Sequence, residues 1–368
     1  MKRILAQCIK ELNQFRRDRL TVALALILPI GVMLIFGYAI RLEAKNIPLS
    51  IQDFDNSPLS RSYVERLYAT NQLVPAPTVN SSPTAALDRG VAKVVVVIPP
   101  EFERQIKAKK TVDVQVLVDG SDVNNARIIQ SSIRATTNFF IETLQTAPLQ
   151  QERLVTQTRL WFNPGRKESL YIVPGIYGVV LWVFPSMLTA ISVVREKEQG
   201  TIIQVYASAL SALEWLLGKG LAYLLVALAE ALVVVSVSVL LFGLRLQVEP
   251  TLLIVGTLTF LVASVSFGLL VGTRASNQTA AVQGTAILGF LTALLLSGLI
   301  YRLENIPFPL SLISNIIPAR YYILVTRDAF VRGTGWTGFW YVPLIVVSIG
   351  FLIFVAATRN LRRMQLKD

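Results

Sequence analysis

The chain has 368 residues, of which 53% are hydrophobic and 16% charged, with no histidine and one cysteine. Soluble domains carry roughly 25% charged residues, so this composition points to an integral membrane protein, and the missing residue types exclude a histidine triad, a Cys/His zinc site and an intrachain disulfide. The net charge of +12 could serve nucleic acid, but the basic residues sit beside apolar runs or in one long loop and are never interleaved with aromatics, so no nucleic-acid partner is expected.

Residues 1–19 carry Ile4, Leu5, Cys8, Ile9, Leu12 and Phe15 between basic residues, a spacing that collects apolar groups on one helical face. Two readings stay open: an amphipathic helix in the inner membrane interface, or a helix packed on the rest of the protein, with Cys8 as a packing residue. Because about 20 apolar residues cross a bilayer, six segments qualify as spans: 20–40, 172–194, 220–243, 251–273, 280–300 and 339–357. The first is too long for a cleaved signal core and lacks a small-residue cleavage site, so it reads as a retained span. An even number of spans puts both ends on one side. Lys2, Arg3, Lys10, Arg16, Arg17 and Arg19 at one end, and Arg359, Arg362, Arg363 and Lys367 at the other, place both in the cytoplasm by the positive-inside rule.

That topology leaves 41–171 outside. Strand-like 47–54, helical 59–70, the β-branched run 91–98, helical 101–110, alternating Val112, Val114, Val116 and Val118, and a long helix over 123–145 follow in turn. Alternating strands and helices predict a small α/β extracytoplasmic domain after the first span. The acidic turn at Asp119 and Asp122 lacks calcium-loop spacing and reads as a surface turn, so no metal site is expected. Segment 301–338 is apolar but broken by Pro307, Pro309 and Pro318, which fits an outer re-entrant hairpin before the sixth span.

No phosphate-cradling motif occurs, so the chain is not expected to bind or hydrolyse nucleotide. Glu230 lies near the middle of the third span, where a carboxyl is costly; a transport-path or gating role and a structural hydrogen bond, to Ser236 or a neighbouring helix, both remain open. Between two apolar runs, 195–219 reads as a polar elbow: Arg195-Glu196-Lys197-Glu198-Gln199-Gly200-Thr201, later Glu214 and Gly218-Lys219. It is either a plain connector or, through Ile202, Ile203, Val205, Leu210, Leu213, Trp215 and Leu216, an amphipathic segment that docks a soluble partner.

Glu196-x-Glu198-x-Gly200-Thr201 followed by Glu214 and Lys219 resembles the cytoplasmic loop of ABC type-2 exporter permeases, with Ala209 after Ser208 where the commonest form has proline. Ser297-Gly298 with Asn305-Ile306-Pro307, and Pro318-Ala319-Arg320 with Arg327 and Gly333, are similar to the end of the fifth span and the outer hairpin of the same family, in its drug-efflux-like branch. The resemblance covers essentially the whole chain. It implies a permease subunit of the bacterial inner membrane that exports hydrophobic or amphipathic, drug-like or lipid-like compounds between the second and fifth spans of paired subunits. It further implies a separate ATP-binding subunit where ATP and magnesium act, a second permease copy or paralogue, contact with membrane lipid, and in some members a periplasmic adaptor protein. Glu196, Glu198, Gly200, Thr201, Glu214 and Lys219 would then form the coupling loop, with Glu196 and Glu198 as anionic contacts for the ATPase. The alternative is a membrane receptor or assembly protein whose outer domain binds a ligand and whose loop docks a soluble partner.

Overall fold

In the computed structural model residues 1–39, 46–70, 72–77, 82, 84–121, 123–144, 162, 169–201, 210–301 and 303–364 are described. The chain divides into two units, Met1–Ile40 with Arg159–Asp368, and Arg41–Thr158.

A bilayer offers no water to backbone amides, so apolar runs of this length satisfy them as helices. Among the described residues, six helices are long and apolar enough to cross a membrane, and we number them spans 1 to 6: Thr21–Tyr38, Ser169–Glu198, Ala212–Phe242, Thr251–Arg274, Gln278–Leu296 and Val342–Leu361. Two bounds differ from expectation in the same direction. Span 2 continues through the charged residues to Glu198, and span 3 begins at Ala212, so Glu214 and Lys219 lie on a helix. The charges do not break these helices because they find partners within the protein. Span 5 ends earlier than expected, at Leu296, and is π-helical over Ala286–Leu291.

Span 2 is the central helix, buried on almost every side from Ile172 to Val194. Span 4 reaches it through Gly268 and Gly272, one turn apart on one face. A Cβ at Gly268 would overlap the Ser186 carbonyl; at Gly272 it would lie 2.7 Å from the Val193 Cβ and 2.8 Å from the Ala190 oxygen. Small residues at this spacing let two backbones touch, and Ser264 adds a 2.7 Å hydrogen bond to the Trp182 carbonyl on the same seam. The N-terminal helix, Lys2–Arg17, packs on the start of span 3, where Gly218 leaves room for Gln7 and the Ile4 carbonyl. Its apolar residues therefore part company. Cys8 is buried, Leu12 and Phe15 pack on the core, and Leu5 and Ile9, about 100° round the helix, stay exposed.

Among its described residues the other unit holds four strands, β1 (Ile47–Asp53), β2 (Leu73–Pro75), β3 (Val94–Ile98) and β4 (Gln115–Val118), in the order β2-β1-β3-β4. β1 runs parallel to both neighbours, and β4 is antiparallel to β3. Leu49, Val94, Val96 and Ile98 face Tyr63 and Leu67 of helix Pro58–Ala69 and Ile129, Ile133 and Phe140 of helix Val123–Leu144. The expected strand over 112–118 pairs only from Gln115, because its partner in β3 ends the ladder at Val97. The Asp119 carboxylate is occupied by Lys93 at 2.5 Å and by the Ser121 amide at 2.9 Å; Asp122 lies outside the described residues.

Candidate functional site: a charged hub at one end of the bundle

Successive residues on a helix point about 100° apart, so four in a row at the end of a buried helix face four different neighbours. Arg195 to Glu198, the last turn of span 2, do this. Arg195 meets Asp18 at 3.2 Å, in the joint between the N-terminal helix and span 1. Glu196 turns inward to the N-terminal helix and span 3. Lys197 donates to the carbonyls of Gly272 (2.8 Å), Thr273 (2.7 Å) and Ala275 (3.3 Å), which end span 4. Glu198 accepts from the Gln278 backbone at 2.9 Å and side chain at 2.5 Å, which begin span 5. Lysine at a helix C-terminus and glutamate at a helix N-terminus each meet the favourable end of the dipole. Span 6 joins through Asn360, which donates to Thr273 Oγ1 at 3.3 Å.

Glu196 is the inner half of this hub and only 4% exposed. One of its oxygens takes Lys10 at 2.7 Å and Lys219 at 3.2 Å; the other takes the Trp215 indole at 3.2 Å. Lys219, 1% exposed, gives its three protons to Glu11 at 2.8 Å, Glu196 and the Ser192 carbonyl at 3.2 Å. Gln7 completes Glu11 at 2.9 Å. Burial pushes the Glu11 carboxyl up, against the pull of Lys219. Buried Glu11, Glu196 and Lys219, with exposed Lys10 at the edge, thus bring two carboxylates and two ammonium groups together, each buried charge paired, the condition under which buried charge is tolerated. Beyond the hub, Gln199 and Gly200 are exposed; Gly200 has φ +70°, and Thr201 donates back to the Glu196 carbonyl at 3.3 Å. Glu214 closes a capping box with Ser211 at the start of span 3 and lies 4.0 Å from Arg3. The expected amphipathic stretch through Ile202, Ile203 and Val205 lies outside the described residues.

At the other end of the bundle, Ser297 is buried and Gly298 turns the chain at φ +85°. Asn305 ends a short turn and is exposed, as is Pro307, whose carbonyl accepts from Ser311. Pro318 opens helix Pro318–Arg327, and Arg320 reaches Asn315 at 2.6 Å and Ser314 at 3.2 Å. Glu230 is fully enclosed, and neither of its carboxylate oxygens has a hydrogen-bond partner among the described residues.

The model of one family, described as ABC-2 family transporter protein, matches residues 19–359. The chain belongs to this family. It is 28% identical over 365 residues to the probable multidrug ABC transporter permease YbhS of Escherichia coli (strain K12), covering 96% of this chain and 93% of the relative. It is also similar to the permease YbhR of that strain, 26% identical over 348 residues (92% and 93%), and to its inner membrane transport permease YhhJ, 27% identical over 327 residues (86% and 85%). The chain is therefore an ABC-2 exporter permease, a multi-pass membrane subunit of a family that works with an ATP-binding subunit and generally in pairs.

In this ABC-2 permease the motif residues of 195–219 divide by role. Glu196, Glu198 and Lys219 bind other parts of the same chain, whereas Gly200 and Thr201 form the adjoining turn. Sequence reasoning missed Arg195, Lys197, Asp18, Lys10 and Glu11 as members of the hub. The one local signal was Gln7 and Glu11, polar residues at i and i+4 with Ile4, Cys8 and Leu12 on the inward side of an otherwise basic helix.

Proposed function

We propose that this permease carries hydrophobic or amphipathic compounds, drug-like or lipid-like, out of the cytoplasm or inner leaflet, driven by ATP hydrolysis in a separate subunit. In this reading the hub end faces the cytoplasm of a bacterial inner membrane and the α/β unit lies outside, as the basic ends of the chain favour. The segment 301–338 would form the outer hairpin, and a second copy or a paralogue would complete the path. ATP and magnesium act in the partner; this chain binds neither. The multidrug names of two relatives support the substrate class, and an adaptor protein on the outer side is what the resemblance to the drug-efflux-like branch adds.

The observation that carries the proposal is the hub. Four adjacent side chains tie the end of the central span to the ends of spans 1, 3, 4 and 5, beside the exposed turn at Gln199 and Gly200. A subunit pressing on that turn would move the bundle ends together rather than one helix alone. Glu196 acts inside this joint, transmitting the push, while the turn and the residues after it receive the ATPase. The test is a Glu196→Gln variant, reconstituted in vesicles with the ATP-binding subunit and a hydrophobic fluorescent substrate. The partner should still co-purify, while transport falls by about tenfold or more, the size of a typical coupling term. Full transport by this variant would overturn the role of Glu196, and export in the absence of any ATP-binding subunit would overturn the proposal.

A further inference from the structure

Arg327 ends helix Pro318–Arg327, at the end of the bundle opposite the hub, and among the described residues no carboxylate lies within ion-pair reach of it. Its guanidinium is held by backbone oxygens instead. Nη1 donates to Gly298 at 3.0 Å, Nη2 to Leu299 at 3.4 Å, and Nε to Tyr171 at 3.4 Å, while its Cζ lies 3.7 Å from the centre of the Tyr171 ring. The acceptors belong to two different spans, since Tyr171 begins span 2 and Gly298 and Leu299 follow span 5. Gly175 makes the space: a Cβ there would lie 2.6 Å from Leu299 Cδ1 and 3.0 Å from Arg327 Nη2. The neighbouring Thr326 donates to the Pro174 carbonyl at 2.7 Å. Arg320, the other arginine of this helix, hydrogen-bonds Ser314 and Asn315 among the described residues, six and five residues away. Arg327 instead reaches partners 28, 29 and 156 residues away.

We infer that Arg327 is a positioning residue that clamps the ends of spans 2 and 5 together, and that the path opens at this end when the guanidinium leaves those carbonyls. The inference rests on the reading of the chain as an exporter whose path runs along these two spans. A guanidinium offers five donors in one plane, so it can hold several carbonyls while stacked flat on a ring; an ammonium has three donors and no plane to stack. Holding by carbonyl dipoles and a ring face, without a carboxylate, leaves no buried counter-charge stranded when the clamp releases.

Ser297 supplies a reporter. It is 1% exposed, its hydroxyl has no hydrogen-bond partner among the described residues, and it adjoins the clamped Gly298. The full chain would carry Cys8→Ser and Ser297→Cys, and the rate of labelling by a bulky polar maleimide would be followed in purified protein without ATPase or substrate. A second reporter, Ser192→Cys, probes the hub end. With Arg327 present the Ser297→Cys reporter should label slowly. Arg327→Gln should raise its rate by about tenfold or more, as for a local opening; Arg327→Lys should raise it less, and the Ser192→Cys reporter should not change in either. If the glutamine variant does not fold, Gly175→Ala, which crowds the same guanidinium, should raise the rate as well. An unchanged rate at Ser297→Cys in folded Arg327→Gln protein overturns the clamp, as does an equal rise at both ends. Because no transport is measured, failure of the export reading in vesicles and failure of the clamp are separate results.

Discussion

Asp18 does two things with one carboxylate. It caps the first span, accepting from the Thr21 amide at 3.1 Å and hydroxyl at 2.6 Å, and it meets Arg195 of the hub. The Thr21 hydrogen bonds, with Arg195 alongside, hold it below the usual carboxylate range. A carboxylate whose folded value is lowered stabilises the fold above its unfolded value, about pH 3.9, and loses that contribution as pH falls through the folded value. Asp18→Ala should therefore cost about 1 kcal/mol at pH 7, the worth of a helix cap. The gap in melting temperature from the parent protein should close as pH is lowered below about 4; a gap independent of pH would show that the charge contributes nothing. Lys219 is the more demanding position. Lys219→Met leaves Glu11 and Glu196 buried with only Lys10 between them, and breaking a buried pair typically costs about 3–5 kcal/mol. Adding Glu11→Gln removes the stranded charge, so the double variant should melt above the Lys219→Met single variant. Additive losses would mean that the two groups are not coupled. Beyond the local pairs Asp18–Thr21 and Gln7–Glu11, none of this could be read along the chain. Glu196 and its neighbours look like a solvated elbow because their partners lie far away: Lys10 at 186 residues, Gly272 at 75 and Gln278 at 80.

The elements were far more legible, because a span needs only length and apolarity, and six such stretches are plain in the order of residues. What composition does not specify is which face meets which. Spans 2 and 4 are apolar on all sides, so no periodicity marks their seam, and Gly268 and Gly272 look like two small residues among several. The same holds for β2, too short to carry an alternation, and for the N-terminal helix, whose inward face mixes Cys8 and Leu12 with Gln7 and Glu11. Geometry separates glycines that sequence treats alike. Gly268→Ala must push its methyl into the Ser186 backbone, so it should lower stability by about 1–3 kcal/mol, as overpacking does. A Cβ at Gly220, on span 3, meets nothing closer than Leu269 Cδ1 at 3.5 Å. There the alanine should be neutral or stabilising by up to about 1 kcal/mol, because glycine is the poorer helix former. Thermal melts of the two variants side by side decide the matter, and equal losses would place the packing seam elsewhere.

For the molecule as a whole, the central helix is fastened at both ends. Its 30 residues extend about 45 Å at 1.5 Å per residue; Tyr171 is held by Arg327 at one end, and Arg195 to Glu198 hold the other. In the coupling proposed above, a helix so fixed transmits displacement along its axis only if the fastenings at the hub end are stiff. Lys197 and Glu198 supply that stiffness toward spans 4 and 5, the lysine by holding three carbonyls and the glutamate by capping Gln278. Replacing both, Lys197→Met with Glu198→Gln, leaves the buried network of Glu11, Glu196 and Lys219 intact; Glu198 is exposed and its hydrogen bonds are of surface type, so the folding cost comes mainly from the three carbonyls that Lys197 leaves. The substrate moved per ATP hydrolysed should nonetheless fall, by about tenfold if the joint carries a typical coupling term, while the ATP-binding subunit stays bound and continues to hydrolyse ATP. Proteoliposomes that report substrate flux and phosphate release together would measure this ratio. If the ratio holds while both rates fall in step, the two side chains serve assembly, and the push must reach the spans through Glu196 alone.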